Sequence, residues 1–251
     1  NSTSQVHSLR YFKYNMFNFE NISAYIRYSR ELETIKNRAL LFGVNQISSS
    51  ENMNSNFPDE TFSASGNYGR SFARYYKANF RAGFNWSKSN NIRVYPDGDA
   101  NPNNNPTELQ TIESYSQSYN LSFSTNYKTL PNLTLGYNFS INDNFSDVIY
   151  IDSPTVTLEY FFLDAFSFVS EYSYFHNRNK AKTIDSEYDF LTASLLYQKK
   201  GSKWEWKLSG TNLLDTKSLD TNSFIQLGGT SSFSSYRVQP RFVILSLKYT
   251  L

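Results

Sequence analysis

The sequence predicts an all-β fold, an antiparallel transmembrane β-barrel with about eleven strands. Apolar and polar residues alternate with a period of two along most of the chain. The connections between the alternating segments are short and long in turn. The chain is also rich in aromatic residues although it is polar on average. Together these features are typical of strands that face lipid on one side and a polar lumen on the other.

The composition favours a membrane barrel over an ordinary soluble domain. Aromatic residues make up 18% of the 251 residues, yet the mean hydropathy is -0.55. In a barrel the apolar and polar faces have opposite contributions to the mean hydropathy, so the mean is low. Aromatic residues are still numerous because they collect at the membrane interfaces. No apolar run approaches the ~20 residues of a transmembrane helix. The net charge of +2 does not indicate a nucleic-acid partner, and the absence of cysteine excludes disulfides and thiolate metal sites.

Ten segments alternate clearly, and an eleventh, Val6–Met16, alternates without a clear phase. Residues of a strand point to opposite faces in turn, so each segment offers one apolar face. The apolar faces are, in chain order, Ile22, Ala24, Ile26, Tyr28; Phe62, Ala64, Tyr68; Tyr76, Ala78, Phe80, Ala82, Phe84, Trp86; Tyr115, Tyr119, Leu121, Phe123, Tyr127; Leu133, Leu135, Tyr137, Phe139, Ile141; Val156, Leu158, Tyr160, Phe162; Phe166, Phe168, Tyr172, Tyr174; Leu191, Ala193, Leu195, Tyr197; Trp204, Trp206, Leu208; and Val243, Leu245, Leu247, Tyr249, Leu251.

Charged residues within these segments lie on the opposite face. An Arg or Lys that faced the bilayer midplane would cost about 2–4 kcal/mol, so this segregation is the strongest evidence for a lipid-facing side. We therefore predict that the charged members of the other face point into the lumen. They include Arg81, Glu159, Glu171, Glu205 and Lys207.

The connections alternate in length. Short ones are predicted near Asn18–Glu20, Ala73–Tyr75, Leu130–Asn132, Leu163–Ala165 and Lys200–Lys203. Long or very polar ones are predicted near Asn37–Asn56, Arg93–Thr107, Asp143–Ser153, Asn179–Glu187 and Thr216–Arg237. Bacterial barrels have short periplasmic turns and longer external loops, which places the last strand on its way down to the periplasm.

About eleven strands is half of the ~22 strands of the large plugged transporters, and an odd number does not close a typical bacterial barrel. Residues 1–251 are therefore interpreted as a barrel segment, the C-terminal half, with no plug domain in this chain. One missed strand would instead give a complete barrel of about twelve. A soluble all-β sandwich also alternates, but its strands average ~5–6 residues, and these segments are often twice as long.

No catalytic constellation is evident, so the chain is predicted not to be an enzyme and to need no cofactor or metal. The two histidines, His7 and His176, are far apart in sequence, and a phospholipase-like site around His176 is a minor alternative. The segment Tyr95–Pro106 is rich in oxygen ligands. It is interpreted as a solvated, turn-rich external loop, with hard-cation binding as the alternative.

The C-terminal sequence carries a family resemblance. Gly210–Asp215, which reads GTNLLD, and the final stretch Tyr236–Leu251 resemble the end of TonB-dependent receptors. The Gln239-Pro240-Arg241 form is similar to that of Bacteroidetes-type outer-membrane β-barrel proteins. Met16–Ile22, followed by Tyr25–Ser29, resembles their periplasmic turn and rising strand.

The resemblance implies a location and a function. The protein is expected in the outer membrane of a Gram-negative bacterium, where a TonB-dependent transporter imports a scarce or bulky nutrient. An inner-membrane energy-coupling protein would pull an N-terminal plug that this chain lacks. The loops 93–107 and 216–237 are the favoured substrate-binding segments. The alternatives are a self-contained small diffusion channel and a surface-binding barrel, an adhesin or scaffold, without transport.

The resemblance also implies partners. Leu247, Tyr249 and Leu251 would form the terminal signal that the barrel-assembly machinery reads, although many outer-membrane proteins end in Phe and this chain ends in Leu251. Outer-membrane lipid is the second expected partner, and a surface lipoprotein is a further candidate. No nucleic acid is expected.

Overall fold

The structure is a computed structural model that describes residues 3–32, 34–42, 45–53, 58–94, 107–144, 147–180, 182–225 and 230–250. The strands are β1 (Ser4–Asn15), β2 (Glu20–Glu31), β3 (Thr34–Phe42), β4 (Asn45–Met53), β5 (Asp59–Phe72), β6 (Tyr76–Val94), β7 (Thr107–Thr125), β8 (Asn132–Asn144), β9 (Asp147–Phe162), β10 (Phe166–Asn179), β11 (Asp185–Tyr197), β12 (Trp204–Thr211), β13 (Ser218–Ile225), β14 (Thr230–Arg237) and β15 (Phe242–Tyr249). Within these ranges no helix is long and apolar enough to cross a membrane.

Eleven strands form one continuous antiparallel path through the main sheet. Their order is β1-β2-β5-β6-β7-β8-β9-β10-β11-β12-β15, and every neighbouring pair is antiparallel. The predicted all-β fold with about eleven antiparallel strands is thus confirmed. Within the described residues β1 and β15 each pair on one side alone, so the sheet has two open edges.

Two of the predicted long connections contain strands of their own, which the sequence did not reveal. The segment 37–56 contains β3 and β4, which pair with each other from Thr34–Met53 to Phe42–Asn45. The segment 216–237 contains β13 and β14, which form a separate two-stranded sheet. Neither hairpin has an apolar face that alternates over its full length, so the period-two signal was too weak to reveal it.

The main strands also run further than their apolar residues suggested. β8 ends at Asn144 and β9 begins at Asp147, so the predicted loop 143–153 is mostly strand. The predicted connection 179–187 shortens in the same way, because β11 begins at Asp185. Backbone hydrogen bonds to the neighbouring strand extend the ladder whatever the side chains are, which explains these two errors. The five predicted short connections all fall between paired strands.

The register brings the predicted apolar faces onto one side of the sheet, which we call the apolar face. Directly opposite residues of an antiparallel pair share a face. Leu121 lies opposite Phe80 on one side and opposite Tyr137 on the other. The same alignment continues to Leu208, which lies opposite Leu195 and Leu245. The opposite side, rich in Ser, Asn and Thr, is called the polar face.

The register also shows which residues of β1 lie on each face, a question that the sequence left open. Leu9 lies opposite Ile26 and Tyr11 opposite Ala24, so both belong to the apolar face. Arg10 lies opposite Tyr25, which places it on the polar face. The phase was ambiguous because β1 carries large side chains on both faces.

The turn between β9 and β10 has an uncommon backbone. Leu163 and Asp164 have φ values of 52° and 53°, and the Ala165 N–H donates to the Phe162 carbonyl at 3.4 Å. Two central residues with positive φ characterise the type I′ turn, whose twist matches that of the flanking strands. Asn and Gly adopt this region more easily than Leu and Asp do.

We expect the double substitution Leu163→Asn and Asp164→Gly to stabilise the protein by about 1 kcal/mol. Leu163 is 78% exposed, so its removal costs no packing. The measurement is the urea midpoint of the full-length protein in detergent, followed by gel migration without heating. Leu130→Asn is the control, because Leu130 is an exposed turn residue without a positive φ. An unchanged midpoint in the double variant would contradict the turn assignment.

Candidate functional site on the two faces of the sheet

The apolar face is largely uncovered in the described chain. Leu121 is 53% exposed and Leu245 is 64% exposed. Among residues whose side chains are described, Ile112 at 3% exposure is the one buried hydrophobic residue. A soluble sandwich would bury such a face in a core, whereas a membrane strand presents it to lipid. The arrangement therefore requires an apolar environment on this side.

The uncharged part of the apolar face has a defined height. On β6 it runs from Tyr76 to Trp86 and ends at Lys88; on β5 it lies between Glu60 and Arg70. On β6, the ten steps from Tyr76 to Trp86 at ~3.4 Å each cover about 34 Å along the strand. At the usual tilt of ~45° this gives a band about 24 Å tall, close to the ~25 Å of outer-membrane barrels.

One end of the band is edged by stacked aromatic rings. This end, where the short connections lie, is called the turn end. Phe162 stacks on Phe166 with ring centroids 5.3 Å apart, and Phe166 contacts Tyr197 at 4.8 Å. Trp204 and Tyr249 pair at 4.7 Å on the last two strands. Such rings favour the boundary between lipid and water, where one side is apolar and the other wet.

The other end, the loop end, carries tyrosines bonded to carboxylates. The hydroxyl groups donate across neighbouring strands at 2.5–3.4 Å. The four pairs are Tyr28–Glu60, Tyr137–Asp152, Tyr172–Asp189 and Tyr174–Glu187. Each ring lies toward the band and each hydroxyl toward the charged rim, which is the arrangement of an interfacial tyrosine.

Basic residues complete this rim. Arg178 donates to Asp152 at 2.5 Å, and its guanidinium lies 6.0 Å from the Tyr150 ring centroid. His176 lies between Asp185, 2.6 Å from its Nε2, and Arg178, 3.0 Å from its Nδ1. The sequence had singled out His176 as the centre of a minor catalytic alternative. The structure places it at the loop end of the apolar face, in contact with Asp185 and Arg178.

The five charged residues predicted to face the lumen all lie on the polar face. The register sets Arg81 opposite Asn67 and Asn120, Glu159 opposite Asn132, Glu171 opposite Thr157, Glu205 opposite Lys248, and Lys207 opposite Ser246. Glu205 pairs with Lys248 at 3.8 Å. These residues share a face but are spread from β6 to β12, so the sheet does not bring them into one cluster.

The polar face has two shallow cavities toward the β1 edge. The first, of about 610 Å³, lies over β1, β2, β5 and β6 and is lined by Arg10, Tyr25, Asn67 and Arg81 among others. The second, of about 560 Å³, is lined by Arg27, Asn85, Asn142 and several serines. Neither lining includes a carboxylate. Sequence analysis identified Arg81 but not its association with Arg10, because the phase of β1 was open.

The GTNLLD segment has a structural role that its resemblance did not reveal. Asn212 is 1% exposed and has a φ of 52°. Its Nδ2 donates to the carbonyls of Thr216 at 2.8 Å and Gln239 at 2.9 Å. The Thr216 N–H donates back to Asn212 Oδ1 at 2.9 Å. Asn212 therefore ties the end of β12 to the chain segments on both sides of the β13–β14 hairpin.

We expect Asn212→Ala to destabilise the protein by about 3 kcal/mol, since it leaves buried backbone groups without partners and places Ala at positive φ. The urea midpoint of the full-length protein in detergent would report the loss. Asn85→Ala is the matched control, because Asn85 makes no side-chain hydrogen bond to the described part of the chain. Equal midpoints for the two variants would show that the Asn212 bonds do not fasten this end of the sheet.

The predicted substrate-binding loops are described in part. In 93–107 the strands β6 and β7 reach Val94 and start at Thr107; residues 95–106, including the oxygen-rich segment, lie outside the described residues. In 216–237 the backbone forms β13 and β14. In the terminal strand Leu247 and Tyr249 lie on the apolar face, whereas Leu251 is outside the described chain. The described side chains include no group of three or more metal-ligating residues arranged to hold an ion.

Comparisons with known proteins give one structural likeness to report. No protein-family model matches the chain, and no curated protein matches it. Among solved structures, the chain is similar to the ferric-catecholate import receptor Fiu from E. coli K12 in its open form. The identity is 10% and the TM-score 0.29, over 99% of this chain and 52% of the receptor. The chain thus spans about half the length of that receptor chain.

Proposed function

We propose that this chain forms part of the barrel of an outer-membrane TonB-dependent transporter that imports a scarce or bulky nutrient. The observation that carries the proposal is the apolar face, with its uncharged band, about 24 Å tall on β6, between two aromatic edges. That band has the height of the lipid core of an outer membrane. The open faces, and the single buried hydrophobic residue among the described side chains, disfavour a soluble sandwich.

The strand directions support a barrel completed by further strands. Eleven alternating strands make β1 and β15 run in the same direction. Direct closure of these two edges would create a parallel pair in an otherwise antiparallel wall, whereas single-chain bacterial barrels have an even number of strands. Added strands in odd number remove that conflict, and a second set of about eleven gives the ~22 strands of plugged transporters.

The polar face supports a wide lumen. Its central strands β7 and β8 carry small polar residues such as Ser118, Asn120 and Ser140, and Ile112 near the loop end is the one buried hydrophobic side chain described there. A small barrel fills its interior with its own side chains, whereas a large one surrounds water or a plug. The GTNLLD and Gln239-Pro240-Arg241 motifs, which resemble those of TonB-dependent receptors, point to the plugged type.

Membrane placement is tested by two arginine substitutions on β7, three residues apart and on opposite faces. Leu121→Arg puts a charge on the apolar face and should cost about 2–4 kcal/mol, while Ser118→Arg on the polar face should cost little. Folding of the full-length protein into lipid bilayers, titrated with urea, measures both. Equal effects, or a larger effect of Ser118→Arg, would show that the apolar face does not contact lipid.

Transport is tested in cells that produce or lack the protein, each with and without the inner-membrane energy-coupling protein. We expect at least one medium component whose depletion, measured by mass spectrometry, requires both proteins. Depletion that needs this protein but not the coupling protein would indicate a diffusion channel. Unchanged depletion together with lost surface binding would indicate an adhesin or scaffold.

A further inference from the structure

Three arginines on the polar face lack an acidic partner. Arg10, Arg27 and Arg81 are exposed and make no ion pair with the described residues. On the apolar face, by contrast, Arg30 pairs with Glu60 at 3.6 Å and Lys88 with Glu113 at 3.4 Å. The three arginines therefore form a basic patch on β1, β2 and β6 whose charge is not neutralised nearby.

The surroundings of the patch consist of hydrogen-bonding groups without charge. Arg10 and Arg81 line the cavity of about 610 Å³, with Ser23, Ser65 and Asn67 between them. Arg27 lines the neighbouring cavity with Asn85, Asn142 and serine hydroxyls. These small side chains leave room above the sheet and can donate to an anion. A volume of this size is within the range of small-molecule sites.

The backbone spacing allows two guanidinium groups to converge on one ligand. Arg10 and Arg81 lie three strand positions apart and are offset by two residues along the strands, which separates their backbones by about 16 Å at ~4.8 Å per strand and ~3.4 Å per residue. Their long side chains can close most of this distance above Ser23 and Ser65. Arg10 is already placed over the Tyr25 ring, with its Cζ 5.4 Å from the ring centroid. Such a contact limits the freedom of the guanidinium and leaves its N–H groups available.

The acidic residues of the polar face lie at a distance from the patch. Glu31 and Asp59, opposite each other on β2 and β5, lie four residues along their strands from Arg27 and Ser63, about 13 Å at ~3.3 Å per residue. Glu159 and Glu171 lie on β9 and β10, at least three strand positions from β6. This separation of about 14 Å exceeds the screening length of ~8 Å at physiological salt. The strands between them, β7 and β8, present Ser, Asn, Thr and Gly on this face. The patch therefore presents positive charge that is available to an anionic ligand.

We propose that Arg10, Arg27 and Arg81, with Tyr25, form a binding site for a small molecule that carries two or more carboxylate or phosphate groups. A guanidinium group binds either group through two parallel hydrogen bonds, and two such groups at this spacing favour a ligand with more than one anionic end. The inference names the substrate class for the proposed transporter and rests on that function, because a ligand reaches this face through the lumen.

The test measures binding of citrate and pyrophosphate to the full-length protein, purified from outer membranes in detergent, by calorimetry. We expect at least one probe to bind, with an affinity that falls as salt rises. The double variant Arg10→Gln, Arg81→Gln should weaken it at least about tenfold, and the corresponding Lys variant less, because Lys keeps the charge but loses the paired hydrogen bonds. Arg70→Gln is the matched control, since Arg70 lies on the apolar face.

Absence of binding by both probes would overturn the proposal, and so would equal losses in the double variant and in Arg70→Gln. A photo-crosslinker at position 25 that captures another segment of the same polypeptide in the absence of probe would assign the patch to a protein contact and also overturn it. Because the assay needs no energy coupling, the two proposals can fail separately. Anion binding without coupled uptake would contradict the proposed transport function. Coupled uptake without anion binding would contradict the proposed anion site.

Discussion

The interaction on which the structure depends is the antiparallel backbone ladder from β1 through β12 to β15. It satisfies the N–H and C=O groups of each inner strand and also fixes which residues lie side by side. A slip of one residue in any pair would turn a strand over and place its apolar residues on the polar face. Since the register aligns Phe80, Leu121 and Tyr137 across three strands, the two faces are a consequence of the ladder.

The two ends of the apolar face differ in chemistry, and the difference is consistent with an oriented wall. The turn end holds stacked rings such as Phe162 and Phe166, which need no polar partner. The loop end holds tyrosines whose hydroxyls donate to carboxylates, with Arg178 between Asp152 and His176. This asymmetry is expected if charged lipid headgroups surround the loop end and the short turns lie at the opposite membrane surface.

The sequence was sufficient to predict the eleven main strands and the sides of Arg81, Glu159 and Lys207, because alternation records the register directly. It was insufficient where the ladder continues beyond the apolar residues, as in Asp147–Ser153, and where a hairpin such as β13–β14 has no apolar face. The role of Asn212 was also hidden, since its three bonds join residues up to 27 positions apart. The patch around Arg10 could not be predicted without the register of β1. The large residues on both faces of β1 left the phase of this strand undetermined.

The separation of charge on the polar face has a physical consequence for anything that passes over it. Between the arginines of β1 to β6 and the glutamates of β9 and β10 lie β7 and β8, which offer hydroxyl and amide groups such as those of Ser118 and Asn138. Neutral donors and acceptors can replace water around a moving polar molecule without holding it tightly. An ionic wall in the same place would either trap or repel a charged ligand. The polar middle of the sheet is therefore suited to passage, and the arginine patch beside it to capture.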